Sequence, residues 1–431
     1  MGKRVAAILV IFLCSTLAWV VLGGTIMTRT YSLDGSLQQK VASTWGSPQT
    51  QSPPAASFVV TSYKEAESLE DGKKVVRKVE VKEEKRLALD ASRVDVQLDL
   101  EPRKKGLLWY STYKVVFDAK YTFATTLMAA PEEITIRLPF PAAQALYDDL
   151  AVKVDGVPIA VTSEPASAPS PGVTSVAAVR GKTMALPGMP LVVDVRYRSQ
   201  GLDTWRYDFG GGATQSVAQV RDFELKMATN FDDIDFPDNT LSPTSKRRSG
   251  RGWHLLWDYE NLVSGYSLAM AMPEKLQPGP LAGRISFFAP VSLFFFFFVM
   301  LLITTLRRIE LHPVNYFFLA AAFFAFHLLL AYLVDHIDIH IAFLISSAVS
   351  LALVVSYLRL VVGMRFAAVE AGLTQFLYLV LFSYAFFFKG FTGLTVTIGS
   401  ILTLFVAMQL TGRIRWSERL APSPASASIS A

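Results

Sequence analysis

Two ionisable residues, His327 and Glu370, stand inside stretches of sequence that are otherwise almost wholly apolar. An ionisable group at membrane depth is costly and by default marks a functional site. An imidazole there can relay a proton. As the neutral form it can instead donate to a backbone carbonyl or to a hydroxyl such as that of Tyr357, Thr374 or Ser383, and this structural role is the plainer reading. Glu370 stands one turn into its run, with Arg359 and Arg365 just across a short turn, which predicts an ion pair near the headgroups. A proton or ion relay needs carboxylates or imidazoles on several helices. Glu370 is the one acidic residue within the apolar runs, with Gln375 and Gln409 the main other polar ones, and that poverty argues against proton-coupled transport.

Other clusters carry weaker signals. Asp335, His336, Asp338 and His340 bring four ligand-type side chains within six residues, donors that suit zinc or copper. Their spacing fits no closed site and a turn between apolar runs has to be polar, so a helix cap is expected and no metal is assigned. Asp232, Asp233, Asp235, Asp238 and Asn239 lack the glycine and the closing glutamate of a calcium loop, which leaves a solvated acidic loop. Lys246-Arg247-Arg248 and Arg251 follow as a basic loop suited to pairing with that acidic stretch or to touching anionic headgroups. Trp205, Trp253, Trp257, Tyr197 and Tyr207 read as core and strand-pair aromatics. Gly210-Gly211-Gly212 has no Lys-Ser/Thr after it and is no phosphate loop. With no G-x-S-x-G or H-E-x-x-H and no evident nucleophile–base pair, the expectation is a protein that is not an enzyme and needs no cofactor.

The elements that must position these residues are set by hydropathy. A bilayer core about 30 Å thick takes about 20 apolar residues per helix. Residues 5–27, 285–306, 315–334, 339–358, 366–388 and 394–410 meet that length. Lys and Arg collect on the cytoplasmic side of short loops. Lys3 and Arg4 precede the first run, Arg307 and Arg308 follow the second, Arg359 and Arg365 flank the fourth turn, and Arg413, Arg415 and Arg419 follow the sixth. The opposite turns hold Asp335, His336 and Asp338, or Lys389 alone. Alternating helices then put both termini in the cytoplasm and the long intervening segment outside it. A cleaved signal peptide is the competing reading of residues 5–27, but the run is too long and Leu22-Gly23-Gly24-Thr25 is a poor cleavage site. Much of the net charge of +5 sits beside these runs, so it sets orientation and does not point to nucleic acid.

The intervening segment is ordinary in composition and has no cysteine; the single one, Cys14, lies in the first run. Residues 32–44 extend the first helix or form a short amphipathic one, stopped by Gly46 and Pro48. Residues 64–86 carry dense charge of both signs, a solvated face. Alternation at residues 94–100, 113–123, 134–138, 191–197, 217–227 and 253–257 predicts antiparallel sheets with one buried face. Residues 163–170 form a Pro/Ser-rich loop, and the tail from 422 onward is expected to be disordered. The fold expected is thus an α+β membrane protein. Its parts are an anchor helix at 1–27, a large antiparallel β-rich extracytoplasmic domain at 28–283, a five-helix membrane domain at 284–412 and a cytoplasmic tail at 413–431.

Several junction motifs together resemble the inner membrane protein CreD family. Trp45-Gly46-Ser47-Pro48-Gln49 is similar to its W-G-x-P-Q turn, and Arg103-Lys104-Lys105-Gly106-Leu107 to its basic-Gly-aliphatic strand entry. Leu311-His312-Pro313-Val314-Asn315-Tyr316 is similar to its L-H-P-x-x-Y between the second and third helices. Leu333-Val334-Asp335-His336 resembles its acidic-His pair, and Arg413-Ile414-Arg415-Trp416 its basic end. The chain departs from the family at Gln51-Ser52-Pro53-Pro54-Ala55 and at the turn Phe388-Lys389-Gly390, which is acidic in the family. The resemblance implies a bacterial inner-membrane protein with a periplasmic domain at 28–283, linked to envelope-stress and two-component regulons, with no established catalytic activity. Its partners are then the lipid bilayer and envelope or two-component-system proteins. The leading expectation is a non-enzymatic protein whose periplasmic domain senses or binds a ligand. The alternatives are a transporter or channel component using the helical bundle, and a tethered periplasmic enzyme.

Overall fold

A computed structural model describes residues 2–70, 73–106, 108–142, 145–165, 176–209, 218–388 and 390–412. Several sequence-level features therefore lie outside the described residues: Leu107, Gly210-Gly211-Gly212, Lys389, most of the Pro/Ser-rich stretch, and everything from Arg413 onward. Among the described residues, six helices are long and apolar enough to cross a membrane.

The first helix, α1 (Gly2–Trp45), runs without a break through residue 27, and only its part Arg4–Tyr31 is apolar enough to span. Residues 32–44 are thus an extension of α1 and not a separate helix. It ends where Gly46 takes φ +106°. The remaining helices are α2 (Pro278–Leu306), α3 (Pro313–Leu333), α4 (Ile339–Val361), α5 (Phe366–Phe387) and α6 (Thr392–Thr411). Pro278 and Pro313 occupy first-turn positions, where a missing N–H costs nothing. His312 caps α3 by accepting from Val314 N, and Asp338 caps α4 by accepting from His340 N. In α5, the stretches Phe366–Ala371 and Phe376–Leu381 widen into π-helix around the short α segment Gly372–Gln375. Such widenings recur at functional sites.

The chain divides into two compact units: Met1–Gly35, Gly106–Leu108 and Leu276–Ala431 in one, Ser36–Lys105 and Trp109–Lys275 in the other. The helical unit is filled by large side chains, among them Trp19, Phe296, Tyr316, Phe323 and Phe326, all fully buried. Its outward residues, such as Leu344, Leu360 and Phe405, are apolar too, as lipid-facing positions are.

The β unit is built on an eight-stranded sheet. Its order is Val157–Pro158, Tyr147–Val154, Leu191–Leu202, Thr112–Ala124, Ala88–Leu100, Ala218–Thr229, Gly252–Ser264, Ser245–Ser249. A five-stranded sheet contains the long hairpin Ala55–Glu70 and Lys73–Arg86, and a three-stranded one joins Gln49–Gln51, Thr204–Tyr207 and Leu268–Ala271. Most neighbours are antiparallel, as the alternation predicts. Two pairs are parallel: Ala218–Thr229 beside Ala88–Leu100, and Gln49–Gln51 beside Thr204–Tyr207. Strict alternation sends one face inward, with Val94, Val96 and Leu98, Val115 and Phe117, and Leu225 and Met227 buried. Trp205, Trp257, Tyr197 and Tyr207 belong to this core, and Trp253 packs at its margin.

Candidate functional site

The outward face of the eight-stranded sheet carries a groove of about 600 Å³. Register explains its lining. Asp118 stands opposite Asp95, Asp95 beside Lys226, and Lys226 opposite Leu256. One row over, Val116, Gln97, Ala228, His254 and Arg247 follow one another across five strands. Ala228 and Val116 are short, the longer side chains around them stand up, and a hollow opens over Ala228 and Leu256.

The charges in the groove are sorted across it. Asp118 and Asp95 lie on the strands toward one end. Arg247 lies on the edge strand at the other, with His254 on the strand next to it. Lys226 sits between them and is bound by Glu224, Nζ to Oε1 2.9 Å. That hydrogen bond first, then the carboxylate charges of Glu224 and Asp95, holds its ammonium above the ordinary lysine pKa. Asp118 has a loose contact with Arg196 at 3.8 Å. The edge strand bearing Lys246, Arg247 and Arg248 is fully exposed, and its positive charge guards an unpaired edge.

Sequence reasoning did not single out this groove. Its residues come from five strands, and spacing along the chain cannot join them. The alternation at 94–100, 113–123, 217–227 and 253–257 does put Asp95, Gln97, Asp118, Lys226 and His254 on the outward face, which is the signal present. Below the groove, a set of tyrosines uses its hydroxyls structurally. Tyr113 donates to Thr204 O at 2.7 Å, Tyr197 to Gln51 Oε1 at 2.6 Å and Tyr147 to Ala142 O at 2.7 Å, while the Tyr121 and Tyr207 hydroxyls meet at 3.3 Å. Burial is the first cause that raises the pKa of each of these tyrosines.

In the helical unit, His327 is fully buried and its Nδ1 lies 3.0 Å from Phe323 O. A carbonyl only accepts, so Nδ1 carries the proton. Of the hydroxyls expected as partners, Tyr357 donates instead to Asn315 Oδ1 at 2.8 Å and Thr374 to Glu370 O at 2.6 Å. Glu370 pairs with Arg307, Nη1 to Oε1 2.5 Å, and not with Arg359 or Arg365. The reason is that α5 brings Glu370 beside the end of α2, a neighbour that distance along the sequence hides. A chain that sequence reasoning missed runs from Gln375 Nε2 to Ser350 Oγ at 2.8 Å and on to Ala322 O at 2.7 Å, linking α5, α4 and α3.

The turn residues fall into structural places. Asp335 accepts from Arg29 Nη2 at 3.2 Å, and Asp338 is the α4 cap. No group of three or more His, Cys, Asp or Glu among the described residues is placed to hold a metal. Asp232 accepts from Arg248 Nη2 at 2.5 Å, the pairing of acidic and basic segments that their sequence suggests, though Lys246-Arg247-Arg248 lie on the edge strand Ser245–Ser249 and not in a loop. Trp45 ends α1 with Arg103 and Lys105 over its ring, at 5.0 and 5.4 Å. Gln49 is buried and donates to Ser199 Oγ at 2.8 Å and Gln200 O at 2.9 Å, Pro48 is exposed between them, and Gly106 takes φ +63°. Tyr316 is buried against Phe297, ring centroids 5.3 Å apart.

Residues 280–417 match the family described as inner membrane protein CreD. Over these residues the chain is similar to the inner membrane protein CreD family, and its six apolar helices fit a multi-pass membrane protein. The CreD match covers the last third, so it includes His312, Pro313, Tyr316, His327, Asp335, His336 and Glu370. Trp45, Gly46, Pro48, Gln49 and Gly106, and the groove with them, lie before it. No curated protein matches the sequence. Among solved structures, the chain is similar to a candidate nutrient binding protein from Legionella pneumophila, with 14% identity and a TM-score of 0.32 over 58% of this chain and 76% of that one. It is also similar to an M1 zinc metallopeptidase from Deinococcus radiodurans, with 11% identity and a TM-score of 0.27 over 42% of each chain. The chain thus spans less than half of that peptidase, and likenesses this slight bear on neither the fold nor the role of this chain.

Proposed function

We propose that this protein is a CreD-like, non-enzymatic inner-membrane protein of the cell envelope whose periplasmic domain binds a small molecule, linked to the envelope-stress response. The groove over Ala228 and Leu256 carries this reading: it is concave, partly apolar and edged by ionisable groups, as ligand sites are. A binding role is favoured over catalysis because no hydrogen bond among the described residues joins Ser245 to His254, or His254 to a carboxylate. The ladder of Arg4, Arg307, Arg308, Arg359 and Arg365 against Asp335 and Asp338 supports cytoplasmic termini and a periplasmic segment at 28–283. Envelope or two-component-system proteins are the partners this reading implies.

Native mass spectrometry of the full chain released from bilayer nanodiscs tests it. The wild type is expected to carry a small molecule from the envelope that Ala228→Trp, which fills the hollow, does not. Equal retention by both rejects the groove as the site. A groove variant that leaves the envelope-stress response of the cell unchanged rejects the link to it.

The second reading, a transporter or channel component, draws on two fully buried acceptors without a partner among the described residues, His327 Nε2 and Gln375 Oε1. The Phe-rich packing around them favours the scaffold reading. Solute flux in proteoliposomes that disappears in His327→Ala is the result that reverses this preference.

A further inference from the structure

The groove sorts its charge by strand, and that sorting names a ligand class. Asp95 is exposed on the strand Ala88–Leu100 and has no salt bridge among the described residues; Asp118, opposite it and only loosely met by Arg196 at 3.8 Å, adds to the negative charge at that end. Three strands further on, Arg247 is exposed on the edge strand, likewise without an ionic partner among the described residues, beside His254. Between the two ends, the Lys226 charge is met by Glu224, and the floor is the apolar pair Ala228 and Leu256. A ligand of one sign meets repulsion at one end. A ligand with a cation at one end, an anion at the other and a short apolar middle meets complementary charge at both.

The distance between the ends selects among zwitterions. Neighbouring strands lie about 4.8 Å apart and Arg247 stands in the row of Gln97, two residues along from Asp95, so three intervals and that offset separate Asp95 from Arg247 by about 16 Å. A single amino acid or a zwitterionic lipid headgroup, with its charges a few bonds apart, does not reach both. An extended peptide advances about 3.3 Å per residue, so about four to five residues fit. Resting on the binding role proposed above, we infer that the groove takes a short peptide with both termini free, its ammonium at Asp95 and Asp118 and its carboxylate at Arg247 and His254. The peptide crosses the strands instead of adding to the sheet edge, so recognition comes from its termini and from small apolar side chains over Ala228.

Calorimetric titration of the full chain in nanodiscs with tetra-alanine, its N-acetyl form and its C-terminal amide tests this. Free tetra-alanine is expected to bind, and capping either end to weaken binding by up to about fivefold, the loss of one surface charge contact. Asp95→Asn should remove the preference against the acetylated form and leave that against the amide. Arg247→Gln should do the reverse. Both positions are exposed, so folding is not at stake. Capped forms that bind as well as the free peptide overturn the inference. So does an absence of heat with all three, and if a small molecule sensitive to Ala228→Trp is still retained, the binding role survives while the peptide does not.

Discussion

His327 and Trp19 meet edge to face in the helical unit, ring centroids 5.6 Å apart at 81°. The Phe323 carbonyl fixes the His327 proton on Nδ1 and leaves Nε2 a bare acceptor. Trp19 Nε1 can only donate, and neither atom has a partner among the described residues. If His327 serves packing, its shape matters more than its nitrogen. His327→Leu should then change stability by less than about 1.5 kcal/mol, while His327→Ala, which opens a cavity, should cost roughly 3 kcal/mol. Thermal unfolding of the full chain in detergent separates the two, and a large loss in His327→Leu assigns the imidazole a polar role.

The link from Gln375 through Ser350 to Ala322 O joins three helices with two hydrogen bonds. Side-chain bonds between membrane helices contribute about 0.6 kcal/mol on average and up to about 1.7. Ser350→Ala breaks both at once, so a loss of about 1 kcal/mol is expected. In the Ser350→Ala background, Gln375→Leu should cost less than it does alone, because its partner is already gone. A double-mutant cycle by equilibrium unfolding reads the coupling directly.

Glu370 and Arg307 are unequal partners, with side-chain exposures of 13% and 57%. Removing the exposed cation strands a nearly buried carboxylate, while removing the carboxylate leaves an arginine that water can solvate. Arg307→Gln should therefore destabilise by about 2 kcal/mol and Glu370→Gln by less than half of that, reduced from a fully buried pair because Arg307 is solvated. Equal losses in unfolding experiments would show that the arginine is not the partner that matters.

Apolar length makes the six helices legible in the sequence, since a bilayer leaves little choice of element for such runs. Alternation makes the buried face of the strands legible, as Val94, Val96 and Leu98 show. It does not say which strand lies beside which, so the parallel neighbour of Ala88–Leu100 is invisible, and with it the meeting of Asp95 and Lys226. The Glu370 partner is hidden for the same reason: Arg365 is near in sequence, but packing of α5 beside α2 brings Arg307. His327 is conspicuous as a residue, yet its environment is set by an aromatic from α1.

Gly46 is a position where the turn after α1 admits no other residue. Its φ of +106° is disfavoured for any L side chain, and an added Cβ would lie 2.1 Å from Gln200 O, a backbone atom that cannot swing away. The same turn seats Gln49 on Ser199 and Gln200. Gly46→Ala should cost more than about 2 kcal/mol, since it adds backbone strain to a forced shift of a paired strand. Limited proteolysis of the full chain should then show faster cutting near this turn, whereas Pro48→Ala, at an exposed site, should show little.

The buried tyrosines predict how the β unit fails in alkali. Burial raises the pKa of Tyr113, Tyr121, Tyr197 and Tyr207 above the ordinary 10.0, because a phenolate in that core loses its hydration. Once unfolded, the same groups titrate near 10. Below pH 10 both states hold the protons and stability is flat with respect to these groups. Above it the unfolded chain releases protons that the folded one keeps, so stability falls as pH rises, by about 1.4 kcal/mol per pH unit for each tyrosine. Four such groups steepen the fall, and ionisation should appear as one cooperative step coincident with loss of sheet structure. Tyr121→Phe removes one of these protons and the 3.3 Å contact with Tyr207. It should make the alkaline transition shallower, and ultraviolet absorbance of tyrosinate followed together with circular dichroism measures both. Gradual ionisation ahead of unfolding would mean that water reaches these hydroxyls in the folded state.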